Sequence, residues 1–175
     1  MAPRFGIANS ITAVRACLAV VVVAAIGAST APAVAWVVVA AAIAATVLDG
    51  VDGWAARRFG ESSTFGARFD MEVDALLIMA LSVLAWTYGK AGVWVLASGL
   101  LRYLFVAAGW IWPWMERPLL PSRRRQAVCV IQIVALIVVV SPIASPPASV
   151  LIAASALAVL AWSFVVDTAW LIRQT

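Results

Sequence analysis

Two long stretches of this chain, residues 16–48 and 126–166, contain no charged side chain at all. A membrane-spanning helix needs roughly 20 apolar residues, so each stretch holds two spans or nearly so. Only 11% of the residues are charged and 65% are apolar, against about 25% and 45–50% in soluble domains. So few charges cannot cover a water-exposed surface. A soluble enzyme, a disordered chain and a nucleic-acid binder are therefore excluded, and the fold class is all-α, polytopic and membrane-embedded.

Pro and Gly punctuate the apolar runs and predict six spans, at about 8–28, 33–58, 65–88, 91–112, 126–142 and 147–171. The run Ser-Pro-Ile-Ala-Ser-Pro-Pro that divides the last two is a turn, because proline removes a helical donor and clashes with the preceding turn. Residues 1–175 read as one membrane domain. The first 35 residues also have the layout of a cleavable signal peptide; its removal leaves the second span with the same orientation.

A net charge of +4 with a pI near 9.8 suggests nucleic acid in a soluble protein, but in a membrane protein basic residues mark cytoplasmic loops. With both termini cytoplasmic, Arg4, Arg15, Arg57, Arg58, Arg68, Arg117, Arg123, Arg124, Arg125 and Arg173 share one side. Lys90 alone falls outside, and Arg102 alone lies deep in a span. This predicts a multi-pass protein of the cell (inner) membrane. Trp110, Trp112 and Trp114 suit an interfacial aromatic belt. Histidine is absent, which excludes imidazole bases and His-based zinc sites. Cys17 and Cys129 lie in apolar runs, where a thiol behaves as a small hydrophobe.

Of eight acidic residues, Asp49, Asp52, Glu61, Asp70, Glu72 and Asp74 crowd into positions 49–74. Carboxylates in or beside a membrane are costly and functional by default. At about 100° per residue, Asp49, Asp52, Gly53, Ala56 and Arg57 share an arc of roughly 140° on span two, with Arg58 pointing away. Gly66, Asp70 and Asp74 form a second stripe on span three. A short loop makes the two spans antiparallel neighbours, so the stripes can face each other. Arg57 neutralises one carboxylate at most. Oxygen donors without Cys or His suit Mg²⁺, Mn²⁺ or Ca²⁺, and four carboxylates can hold two such ions for phosphoryl chemistry. Small residues on the same faces leave room for a ligand to approach. The bland alternative, pairing with the nearby arginines, suits Glu61 and Glu72, the latter four residues after Arg68.

Read in order, Asp49-x-x-Asp52-Gly53-x-x-Ala56-Arg57, eight residues, Gly66, three residues, Asp70, three residues, Asp74 resembles the signature of the CDP-alcohol phosphatidyltransferases. Every fixed letter and spacing matches; a chance match in a chain of this length is on the order of one in ten million at ordinary residue usage. The resemblance implies a six-transmembrane-helix bundle with a polar cavity open to the cytoplasm, commonly a homodimer. It implies that Asp49, Asp52 and Asp70 hold two divalent cations, Mg²⁺ or Mn²⁺. Asp74 would contact the second ion and act as general base. Gly53 and Arg57 would meet the CDP moiety, flanked by Ala56 and Gly66, with Ser63 in the loop between. Asn9-Ser-Ile-Thr12 resembles the polar start of the family's first span, near the same nucleotide, although Asn9 also suits a helix cap.

The implied reaction moves a phosphatidyl group from CDP-diacylglycerol, held by the bilayer, to a small alcohol with release of CMP. The chain is closest in size to bacterial phosphatidylglycerophosphate synthases, whose acceptor is glycerol 3-phosphate. Arg102, Arg123, Arg124 and Arg125 are the candidate acceptor-binding residues, since guanidinium groups suit a phosphate. The usual Asp-Pro-x-Ala-Asp-Lys ending is here Asp70-Met-Glu-Val-Asp74-Ala75, which leaves inositol phosphate, serine or another alcohol open as acceptor. Two other classes compete. A divalent-cation transporter would place its acids near the midplane on repeated halves, and no repeat is visible; a scaffold has no need of four aspartates on two stripes.

Overall fold

A computed structural model describes the backbone over residues 7–59, 64–112 and 122–173, with side chains over 11–51, 69–112 and 122–173. Among the described residues every long element is helical. The helices are α1 (Ile7–Ala24), α2 (Pro32–Phe59), α3 (Thr64–Thr87), α4 (Ala97–Ile111), α5 (Arg123–Val140) and α6 (Ala148–Ile172). Pro32 opens α2, where its missing N–H and fixed φ cost nothing.

The helix boundaries follow the predicted spans closely, with two differences. Span one was expected to reach residue 28, but α1 stops at Ala24, because the chain turns through Gly27 at φ 81°, a left-handed conformation natural to glycine. Span four was expected to begin at 91, but α4 starts at Ala97 after a 3-10 turn over Val93–Leu96. There the Val95 N–H reaches back to the Gly92 carbonyl at 3.0 Å, the tighter winding common at helix starts.

Helix α3 is the centre of the packing, touching α1, α4 and α5. Its Leu77, Leu81 and Leu84 are fully buried against Val22, Val38, Ala42, Leu136 and Val140. The alanine-rich face of α2 (Ala41, Ala42 and Ala45) lets α1 approach closely. Close contact is how helices associate in lipid, where apolar burial alone drives little. Gly99 does the same for α4: a Cβ there would lie 2.8 Å from the Met79 Cα on α3. Beside it Gln132 donates to Ser98 Oγ at 3.0 Å, a buried polar link between α5 and α4.

Over the described residues α1 and α5 each pack against both α2 and α3 and bridge them; the side chains on the ends of α2 and α3 nearest their loop, 52–68, lie outside the described residues.

The outward faces are apolar. Leu104, Trp110, Ile143, Leu151 and Val165 are all exposed, far more apolar surface than a soluble monomer leaves open. Pro32–Val51, Val93–Ile111 and Ala148–Ile172 are each long and apolar enough to cross a membrane. Helix α3 carries Arg68, Asp70, Glu72 and Asp74 in its first half, and α5 opens on three arginines. These charges lower the mean hydropathy of helices that line the acidic end.

Candidate metal centre

Three of the four predicted aspartates come together. Asp49, in the second half of α2, meets Asp70 and Asp74, one turn apart on α3, with one carboxylate oxygen of each within 4.8 Å of the others. The i, i+4 spacing puts both α3 acids on one face, and that face turns to Asp49. Asp49, Asp70 and Asp74 are each half-buried.

The carboxylates converge on a cation from a third helix. Arg15 of α1 is 1% exposed and its guanidinium fills the space between them. Its Nη1 lies 2.9 Å from Asp49 Oδ1 and also donates to Asp70 Oδ1. Its Nη2 donates to Asp74 Oδ1 at 2.6 Å, and its Nε to the Ala45 carbonyl at 3.2 Å. One side chain thus ties α1 to both α2 and α3. Asp74 takes a second donor, the Cys129 thiol of α5, with Sγ 3.7 Å from Oδ2.

Sequence reasoning counted Arg15 as a topology marker and missed this placement. A signal was present: Asn9, Thr12 and Arg15 recur every three residues on a helix whose only other polar side chain is that of Ser10, and Thr12 is buried with Arg15. Asn9 is helical, but its side chain lies outside the described residues, as do those of Asp52, Gly53, Ala56 and Arg57 on the last turns of α2 and of Gly66 at the start of α3. Ser63 lies outside them altogether. The polar cavity expected beside the acids would be lined from this same region. One cavity among the described residues is apolar, about 460 Å³ between α4 and α6, and is lined by Leu101, Leu104, Phe105, Phe164 and Val165 among others.

Of the four arginines considered for an acceptor, Arg102 and Arg124 pair with acids outside the aspartate cluster. Arg102 pairs with Glu72 through Nη2, and its Nε is buried without a hydrogen-bond partner. Glu72 thus reaches α4; the Arg68 side chain, expected beside it, lies outside the described residues. Arg124 pairs with Asp167 of α6, donates to the Ser163 carbonyl at 3.0 Å and lies 5.6 Å from the Trp162 ring. Arg123 is exposed and Arg125 half-buried on the same turn of α5.

The donor set suits a hard divalent ion. Oxygens sharing one Mg²⁺ sit about 3–4 Å apart when each is bound at about 2.1 Å, so the three carboxylates need close only slightly around it. With all three ionised, the cluster and Arg15 together carry a charge of −2, the complement of one divalent cation.

The CDP-alcohol phosphatidyltransferase model matches residues 5–168, nearly the whole chain. The chain belongs to that family. Comparison with curated proteins and with solved structures returns no match. Membership makes the protein a membrane-bound transferase acting on CDP-alcohols, in a family that uses divalent cations. The aspartate cluster falls within the family's signature, with Arg15 reaching it from the helix before.

Proposed function

We propose that this CDP-alcohol phosphatidyltransferase makes a phospholipid, moving a phosphatidyl group from CDP-diacylglycerol to glycerol 3-phosphate and releasing CMP. The observation that carries the reading is the convergence of Asp49, Asp70 and Asp74 within 4.8 Å, inside a motif that matches the family signature in every fixed position. Asp52, on the same α2 face by helical geometry, completes a four-carboxylate set for two Mg²⁺ or Mn²⁺ ions. Such ions, when bound, neutralise the diphosphate and the charge that develops on it.

The chain's own groups do the rest. Gly53, Ala56, Arg57, Ser63 and Gly66, with Asn9 and Thr12 from α1, hold the CDP moiety. Asp74 accepts the proton of the acceptor hydroxyl. The hydroxyl oxygen bonds to the β-phosphorus, the bond from that phosphorus to the oxygen bridging to CMP breaks, and CMP leaves with the electron pair. All six helices span the bilayer around a polar cavity open to the cytoplasm, in the cell (inner) membrane, with both termini cytoplasmic and two copies forming a homodimer. With Arg15 placed in the site, nine basic residues still mark that side against Lys90. The lipid tails stay in the bilayer while the headgroup enters.

Arg102, Arg123, Arg124 and Arg125 bind the acceptor phosphate in this reading. One observation favours a second: Arg102 and Arg124 are already engaged by Glu72 and Asp167, as suits an acceptor without a phosphate, such as serine. CMP release from CDP-diacylglycerol, measured with glycerol 3-phosphate, inositol phosphate, inositol and serine, separates them. EDTA should abolish release and Mg²⁺ or Mn²⁺ restore it. Metal-independent release, or none with any acceptor, overturns the proposal.

A further inference from the structure

The Arg15 guanidinium occupies the ground on which a divalent ion would draw. Its Nη1 touches Asp49 and Asp70, acids from two different helices, and its Nη2 touches Asp74. A group that is 1% exposed in a helix bundle cannot leave for solvent, and a buried arginine kept unpaired would be strongly unfavourable. Yet the anchors are unequal. Nε holds the Ala45 carbonyl, on the backbone of α2, and Nη2 holds Asp74, so the guanidinium can release Asp49 and Asp70 at Nη1 and remain partnered. Arg15 is therefore a cation that can give way without losing its place.

We propose that Arg15 is a built-in counter-cation of the metal centre, a positioning residue that holds Asp49, Asp70 and Asp74 together before a divalent ion enters and weakens binding of that ion until a nucleotide diphosphate is present. The inference rests on the metal-dependent transferase reading and adds to it an order of events. Three carboxylates without a cation would repel one another in low dielectric. With Arg15 among them they stay gathered, but their charge is partly spent and their oxygens partly occupied. A diphosphate brings further negative charge and oxygen ligands, which tip the competition towards the metal. The metal and CDP-alcohol should thus bind cooperatively, each raising the affinity of the other by the same factor.

The test is Mn²⁺ binding followed by electron paramagnetic resonance on the purified, detergent-solubilised protein, with and without CDP-diacylglycerol. Arg15→Met keeps the unbranched apolar stem of the side chain and removes its charge and donors. It should bind Mn²⁺ alone at least tenfold more tightly than the wild type, and CDP-diacylglycerol should strengthen Mn²⁺ binding by a clearly smaller factor than it does in the wild type. A merely structural arginine would move affinity the other way. Unchanged or weaker Mn²⁺ binding by folded Arg15→Met overturns the proposal while leaving the transferase reading intact. Wild-type protein that binds Mn²⁺ neither alone nor with CDP-diacylglycerol overturns both. Should Arg15→Met not fold, the wild type labelled with ¹⁵N-arginine decides: Mg²⁺ should shift the Arg15 guanidinium signals in step with occupancy, and signals unmoved at saturation overturn the proposal.

Discussion

Arg15 and Asp74 meet at 2.6 Å, Nη2 to Oδ1, and this contact fixes the carboxylate proposed as general base from a helix other than its own. The other oxygen of Asp74 faces the Cys129 thiol, so the group is held at both ends and cannot swing freely. Fixed orientation is what a general base needs, since proton transfer depends on geometry before basicity.

Asp74→Asn should therefore slow the chemical step far more than it weakens substrate binding. We expect kcat to fall at least 100-fold, about 2.7 kcal/mol in the barrier, with the KM for CDP-diacylglycerol within a few-fold of wild type. Steady-state kinetics of CMP release measure both. Turnover preserved at saturation, with a large rise in KM, would assign Asp74 to binding and leave the base elsewhere.

Asp70→Asn tests the metal centre itself. The amide keeps the side chain's size and removes a charge shared by Arg15 and the proposed metal. Activity should drop by at least two orders of magnitude, and Mn²⁺ affinity should fall with it. The protein should still insert and elute as the wild type does on size exclusion. Near-normal turnover in folded Asp70→Asn would sink the two-metal reading, because no other described carboxylate stands close enough to replace it.

How far the sequence foretold this arrangement differs from element to element. Helix ends were legible where Gly or Pro interrupts an apolar run, as at Pro32 and Gly89, since backbone chemistry acts locally; the turn through Gly27 ended α1 four residues before the expected limit. The approach of Asp49 to Asp70 and Asp74 was legible as well, because helical spacing decides which side chains share a face. Arg15 was not. Its role depends on which helix fills the space beside α2 and α3, a question of packing volume that spacing along one chain cannot answer. The same holds for the reach of Glu72 to Arg102 on α4.

The Arg124–Asp167 pair offers a separation of structure from binding. Both side chains are mostly buried between α5 and α6, where removing one partner strands the other. Asp167→Asn should destabilise the protein by about 1–3 kcal/mol, read as a lower midpoint of thermal unfolding in detergent. If Arg124 also binds an acceptor phosphate, Asp167→Asn should leave the acceptor KM unchanged or lower it, whereas Arg124→Ala should raise it. Equal loss of stability with no change in either KM would confine Arg124 to a structural role.

Arg102 and Glu72 pose the sharpest test of the acceptor. The guanidinium spends one nitrogen on Glu72 and keeps a buried Nε without a partner, a donor that an entering phosphate can satisfy. Phosphate and Glu72 would then compete for the same group. Arg102→Lys preserves the charge but loses the planar fork that pairs two oxygens at once, so the KM for glycerol 3-phosphate should rise about tenfold, with that for CDP-diacylglycerol nearly unchanged. Glu72→Gln removes the competitor and should move the acceptor KM downwards. It should not disturb the metal centre, since Glu72 lies roughly 200° around α3 from Asp70. Opposite shifts in the two variants would place the acceptor phosphate at Arg102. A rise in both would make the pair a strut between α3 and α4, and no shift in either would remove Arg102 from acceptor recognition and favour an alcohol without a phosphate.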